Sequence, residues 1–152
     1  MNEFAESIDV AVAPAVAFSA LSDLAAMGRW SPENTGGHWL SASGPARGAR
    51  FRGTNERDGS AWSTVARVTR YEPPAHFAFE VTFRGLRVSR WEYDVAPTAT
   101  GCRITESWSD RRPWILRGAD DRNGSQRAAF TRTSVHTTLA RLKDELEGAP
   151  TT

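Results

Sequence analysis

The sequence predicts an α+β fold in which an antiparallel sheet curls around one long C-terminal helix, and three observations carry that prediction. The stretch Ser125 to Glu147 has helical length and sets Ala128, Val135, Leu139, Leu142 and Leu146 on one face. Ahead of it, six short strand-like runs follow one another with turn residues between them, a pattern of hairpins and not of βαβ crossovers. The length of 152 residues, 39% hydrophobic and 24% charged, suits one compact domain with enough apolar material for a core.

Phe4 to Ala13 alternates as a first strand, with Phe4, Ile8, Val10 and Val12 as its apolar residues. Pro14 ends it and fits the first turn of a helix over Pro14 to Leu24, where Val16, Ala17, Ala20, Leu21 and Leu24 recur at helical spacing. Ser22-Asp23 and the segment Met27 to Pro32 read as a break, a second short helix and a loop. The six runs are His38 to Ser43, Ala49 to Asn55, Ala61 to Tyr71, His76 to Phe83, Leu86 to Val95 and Cys102 to Ser109. Gly44-Pro45, Asp58-Gly59, Pro73-Pro74, Arg84-Gly85 and Thr100-Gly101 separate them. The charged segment Arg111 to Gly124, with Pro113 and Gly118, reads as a loop with room for a short helix. The element order is βααββββββα, and residues 148–152 read as a flexible tail.

Nineteen basic against eighteen acidic residues leave a net charge of +1, so no strong field recruits nucleic acid or an anionic membrane surface. Eighteen of the nineteen are Arg and only Lys143 is Lys, a compositional bias and not a phosphate-binding design. The single Cys102 has no internal disulfide partner, and no His or Cys beside it suggests a metal. Neither a signal-peptide start nor an apolar run of about 20 residues is present, so the expectation is a soluble cytoplasmic protein without stable membrane insertion.

Several segments together carry a resemblance: Val10-Ala11-Val12-Ala13-Pro14-Ala15-Val16-Ala17-Phe18, then Leu21-Ser22-Asp23, Trp30-Ser31-Pro32, Tyr71-Glu72-Pro73-Pro74-Ala75-His76-Phe77-Ala78-Phe79 and Thr105-Glu106-Ser107. Over nearly its whole length the chain resembles the START-like, or SRPBCC, superfamily, and within it the polyketide cyclase/dehydrase-type proteins. That resemblance implies a helix-grip fold, a seven-stranded antiparallel sheet wrapped around the C-terminal helix, as a single ligand-binding domain over residues 1–147. Its members hold sterols, lipids, phytohormones or polyketides in the intervening cavity, and some cyclise or dehydrate what they hold. The matching segments are strand ends, a helix start and a turn, so they speak to fold more than to activity.

Alternation nominates the cavity walls. Ile104, Glu106 and Trp108 share a face, so Glu106 is a carboxylate among apolar residues, where desolvation raises its pKa and makes it an acid/base candidate. The competing reading pairs it with Arg50 or Arg132, or sets it at a wet cavity mouth. Trp91 and Tyr93 share a face, and the Tyr93 hydroxyl offers a hydrogen bond to a ligand oxygen or to the core. Phe79 lies on the Phe77–Phe83 face with Glu80 outward, and Phe51 and Asn55 share a face of their strand. In Ala61 to Tyr71 the parities of Val65 and Tyr71 conflict with those of Trp62, Thr64, Ala66 and Val68, which calls for a bulge and leaves the face of Trp62 open.

On the last helix, Arg132 is the polar exception in the stripe of Ala128, Val135, Leu139, Leu142 and Leu146, and His136 lies at the stripe's edge with an ordinary pKa near 6.5. Arg132 reads as a ligand contact or as a stem packed beneath an exposed head. Trp30 and Trp114 fall in loops, as gates over a flat ligand or lids over core. The catalytic candidates are thus Glu106, His136 and Tyr93. The ligand-binding candidates are Trp30, Phe51, Asn55, Phe79, Trp91, Trp108, Trp114, Arg132, Val135 and Leu139, with no metal and no cofactor.

Two functions follow: binding of a small hydrophobic or aromatic molecule, or cyclisation, aromatisation or dehydration of a polyketide-like substrate by acid–base chemistry. An interaction module like the chaperone-activating members of the superfamily ranks behind both, since no apolar patch is evident. No Gly-x-Ser-x-Gly elbow and no Gly-rich phosphate loop occurs. The chain reads as a monomer or homodimer.

Overall fold

The computed structural model describes residues 3–40, 43–113 and 121–148, without the side chains of 121–127. Seven strands, β1 (Glu3–Val10), β2 (Asn34–Trp39), β3 (Arg50–Arg57), β4 (Ser60–Glu72), β5 (His76–Phe83), β6 (Leu86–Thr98) and β7 (Gly101–Asp110), form one sheet in the order β1-β7-β6-β5-β4-β3-β2. Every pairing is antiparallel. Helix α1 (Pro14–Leu21) and a 3-10 helix (Leu24–Arg29) follow β1, and the long helix α2 (Asp121–Glu147) closes the chain. This is the helix-grip arrangement: β1 to β7 pairing joins the first strand to the last, and β2 to β7 are consecutive hairpins.

Several boundaries depart from the sequence-based expectation, β6 running on to Thr98 and β3 to Arg57, and four departures have a local cause. β1 stops at Val10 instead of Ala13, because the next amide, Ala11 N–H, donates to Glu147 Oε2 at 3.0 Å and not to a neighbouring strand. The helix expected over Pro14 to Leu24 ends at Leu21, where Ser22 bonds back to Phe18, and resumes as the 3-10 helix. β2 spans Asn34–Trp39, not His38 to Ser43, since Gly36 and Gly37 are strand residues here. At Gly37 (φ 145°) a Cβ would lie 2.0 Å from the Arg52 carbonyl and 2.8 Å from the Phe51 ring, so glycine lets β2 close onto β3. Helix α2 begins at Asp121, inside the segment expected as loop; Gly124 costs a helix only about 1 kcal/mol and does not break it. Residues 114–120 of that expected loop, and all of the expected tail beyond Gly148, lie outside the described residues.

The conflict in β4 is settled by a bulge. Register with β5 shifts between Val68 and Arg70, so the extra residue Thr69 returns Tyr71 to the face of Trp62, Thr64, Ala66 and Val68. A second irregularity, between Val81 and Thr82 opposite β6, brings both Val88 and Ser89 to the concave side.

The core is asymmetric. Toward the α1 end, Phe18, Leu21, Val68, Phe77, Val95, Cys102, Ile104, Leu139 and Leu142 are buried together, with Phe18 and Tyr71 ringed around Phe77. There α2 is tied to the end of β1: Lys143 Nζ donates to the Asp9 carbonyl at 2.7 Å and to Glu147 Oε2 at 2.8 Å. Toward the opposite end the N-terminal half of α2 meets the sheet across a space. That space is the candidate site.

Candidate functional site

A cavity of about 420 Å³ lies between the concave sheet face and α2. Alternation along each strand decides what enters it. β3 contributes Phe51, Gly53 and Asn55; β4 contributes Trp62, Thr64 and Ala66; β5 contributes Phe79, Val81 and Phe83; β6 contributes Trp91 and Tyr93; β7 contributes Glu106 and Trp108. Leu24 and Met27 of the 3-10 helix close one side, and Thr131, Ser134, Val135 and Thr138 of α2 form the roof. Aromatic and aliphatic side chains make up the greater part of the wall surface, and polar groups are set among them, several paired with one another: Asn55 donates to Thr64 Oγ1 at 3.2 Å, and Trp91 Nε1 to Ser89 Oγ at 3.2 Å. The Arg57 guanidinium lies 3.5 Å over the Phe130 ring, a cation–π contact joining the β3–β4 hairpin to α2.

At the floor, cross-strand pairing sets Tyr93 beside Glu106. The Tyr93 hydroxyl donates to Glu106 Oε1 at 2.6 Å, and both residues are buried, Glu106 to 2% exposure. Glu106 Oε2 has no hydrogen-bond partner among the described residues. Burial raises the Glu106 pKa from the ordinary carboxylate range to about 7, an effect that the Tyr93 hydrogen bond partly offsets. Burial, and then the Glu106 charge, pushes the Tyr93 hydroxyl well above its ordinary value. Neither Arg50 nor Arg132 pairs with Glu106. Arg50 is exposed, and Arg132 lies over the Phe4 ring with its guanidinium 4.0 Å from Glu6.

The candidates named from sequence divide accordingly. Glu106, Tyr93, Phe51, Asn55, Phe79, Trp91, Trp108 and Val135 line the cavity. Leu139 is buried in the core beneath it, and Trp30 is a core residue, 4% exposed at the end of the 3-10 helix, so neither is a wall residue. His136 and Arg132 are exposed, because α2 is rotated relative to the stripe read from apolar residues: the buried positions are Thr131, Val135, Thr138, Leu139 and Leu142. Trp114 lies outside the described residues. Arg112 also lines the wall, its guanidinium held by the buried Asp110 carboxylate at 2.6 to 3.2 Å.

Sequence reasoning missed the hydroxyl-bearing roof and Arg112. The signal for the roof was present in the helical spacing of Thr131, Ser134 or Val135, and Thr138, which a search for apolar residues passes over. Among the described residues, no group of three or more His, Cys, Asp and Glu is placed to hold a metal, and no helix is long and apolar enough to cross a membrane.

Comparison with known proteins agrees with this architecture. No curated protein matches the chain. Among solved structures, the Polyketide_cyc-like protein Cgl2372 from Corynebacterium glutamicum is 28% identical, with 99% of this chain and 97% of that one covered and a TM-score of 0.66. Protein CV1439 from Chromobacterium violaceum, 14% identical, superposes over 96% of this chain and 97% of its own with a TM-score of 0.73. The di-domain ARO/CYC StfQ from the steffimycin biosynthetic pathway, 17% identical, shares the fold over 97% of this chain and 52% of its own, with a TM-score of 0.72. A family model described as polyketide cyclase / dehydrase and lipid transport matches residues 1–147, and the chain belongs to that family.

Proposed function

We propose that the protein holds a small hydrophobic or aromatic molecule, polyketide- or lipid-like in character, in the cavity between the sheet and α2. The observation that supports this best is the make-up of the wall: about 420 Å³ bounded by Phe51, Trp62, Phe79, Phe83, Trp91 and Trp108, with polar side chains set among these rings. Small-molecule sites span roughly 300–1,000 Å³ and have this mixture of apolar walls and a few convergent polar atoms. Aromatic faces stack on a flat ligand, each such pair adding about 0.5–1.5 kcal/mol beyond area burial. The description of the matched family, polyketide cyclase / dehydrase and lipid transport, agrees with a polyketide- or lipid-like ligand.

Trp62, Trp91 and Trp108 provide the assay, since a ligand between them quenches tryptophan emission. Titration with fused-ring phenols and quinones of increasing size is expected to give saturable quenching, weakened about tenfold by Trp91→Ala. Val135→Phe, which fills the roof, is expected to abolish it. Equal binding by that variant, or no quenching by any compound, overturns the reading.

One observation favours acid–base catalysis as a second reading: Glu106 is buried, has a pKa of about 7 and is held by Tyr93 at 2.6 Å. Such a carboxyl gives and takes protons readily at neutral pH. For a β-hydroxyketone, Glu106 removes the proton α to the carbonyl and returns it to the departing hydroxyl. One C–H and one C–O bond break, one C=C bond forms and water leaves. Mass spectrometry of a captured compound checks this: a product lighter by one water, formed at least about tenfold more slowly by Glu106→Gln with binding intact, supports catalysis. A compound returned unchanged leaves binding alone.

A further inference from the structure

Glu106 Oε1 accepts the Tyr93 hydroxyl, whereas Oε2, equally buried, has no partner among the described residues. A buried carboxylate oxygen without a donor costs free energy until a donor reaches it. Among the described residues, the wall brings no cation to Glu106. Among the described wall residues Arg112 is the one basic side chain, and its guanidinium is already held by both oxygens of Asp110. Glu33 adds a second carboxyl to the wall, and Glu6 is directly opposite Glu106 across the β1–β7 ladder. The roof of Thr131, Ser134 and Thr138 offers hydroxyls and no charge.

We propose that this cavity is built for an uncharged, flat molecule bearing a hydroxyl, a phenol or enol on fused rings, and against carboxylates such as fatty acids, with Glu106 setting both preferences. The hydroxyl donates to Glu106 Oε2 and completes the set of bonds that Tyr93 begins. A carboxylate in the same position meets the Glu106 charge in an apolar surrounding, with no free cation on the described wall to offset it. The inference rests on the binding reading above and specifies its ligand.

Calorimetry at about pH 8, where a carboxyl with a pKa of about 7 is ionised, separates the two with three probes on one skeleton: β-naphthol, its methyl ether and β-naphthoate. The ether tests the apolar cavity alone, naphthol adds the donor, and naphthoate adds the negative charge. In the wild type, naphthol is expected to bind about tenfold or more tighter than the ether, and naphthoate weakest of the three. In Glu106→Gln, the gap between naphthol and naphthoate is expected to narrow about tenfold. If the ether binds while naphthol is no tighter, or naphthoate is the tightest, or the gap survives in Glu106→Gln, this inference is overturned and the binding reading stands. If none of the three binds, both are overturned. The ranking in the unaltered protein decides the matter even where the variant folds poorly.

Discussion

Glu106→Gln keeps the size of the side chain and removes its charge, so it isolates what that buried carboxyl does to folding. In the unfolded chain the group loses its proton near the ordinary value of 4.5; in the fold it holds it up to about 7. Between those two values the folded state binds more protons than the unfolded state, so stability falls as pH rises through the window and stays at the lower level above it. A gap of roughly 2.5 units, at 1.36 kcal/mol each, corresponds to about 3 kcal/mol lost between about pH 4.5 and pH 8. Gln cannot ionise, so the variant lacks this component and keeps every other pH-dependent contribution. Urea unfolding of both proteins at about pH 5 and pH 8 gives the difference of differences. The wild type is expected to lose about 2–3 kcal/mol more than the variant on going to the higher pH, part of the loss being complete already at about pH 5. Equal losses, or a wild type that gains relative to the variant, would show that Glu106 is not desolvated in the fold, and would refute the cavity floor as described.

Three further outcomes follow from the same geometry. Tyr93→Phe removes the hydrogen bond that holds the Glu106 pKa down, so the carboxyl should titrate above about 7 when followed by carbon NMR; an unchanged or lower midpoint contradicts the pairing. Gly37→Ala forces a Cβ into the Arg52 carbonyl at a positive φ and should cost about 2–5 kcal/mol, a fall in Tm of roughly 5–15 °C. Gly36→Ala, with φ 121° but open space around it, should cost less, and equal losses would mean that backbone conformation and not contact dominates at Gly37. Arg57→Ala removes the contact with Phe130 that joins the β3–β4 hairpin to α2 and should cost about 0.5–1 kcal/mol in urea unfolding; an unchanged midpoint contradicts that contact.

Much of this architecture was legible because alternation and turns are local signals. β5 begins and ends where its apolar alternation does, at His76 and Phe83, and the inward placement of Glu106 follows from its parity with Ile104 and Trp108. The bulge in β4 was readable as a clash of parities, although only pairing with β5 locates it at Thr69. What resisted reading depends on tertiary contact. β2 is a strand through two glycines because Phe51 and the Arg52 carbonyl crowd Gly37, which no propensity reveals. The phase of α2 was displaced because the cavity roof is made of Thr and Ser; a helix that borders a cavity has no reason to be apolar there, so the apolar stripe passed over Thr131 and Thr138, while Arg132 takes the exposed-head alternative, its guanidinium over the Phe4 ring. For Trp30 the loop-like neighbours left a gate and a core lid open, and the 3-10 helix turns it into the core.

The central claim is that the space between the sheet and α2 is a ligand site, and native mass spectrometry tests it most directly. The wild type and Val135→Phe would be exposed to the same host-cell metabolite extract and compared. The account predicts a small hydrophobic compound retained by the wild type and absent from the variant, whose added ring occupies the roof of the cavity. A wild type that retains nothing, or a compound retained equally by both proteins, would contradict it.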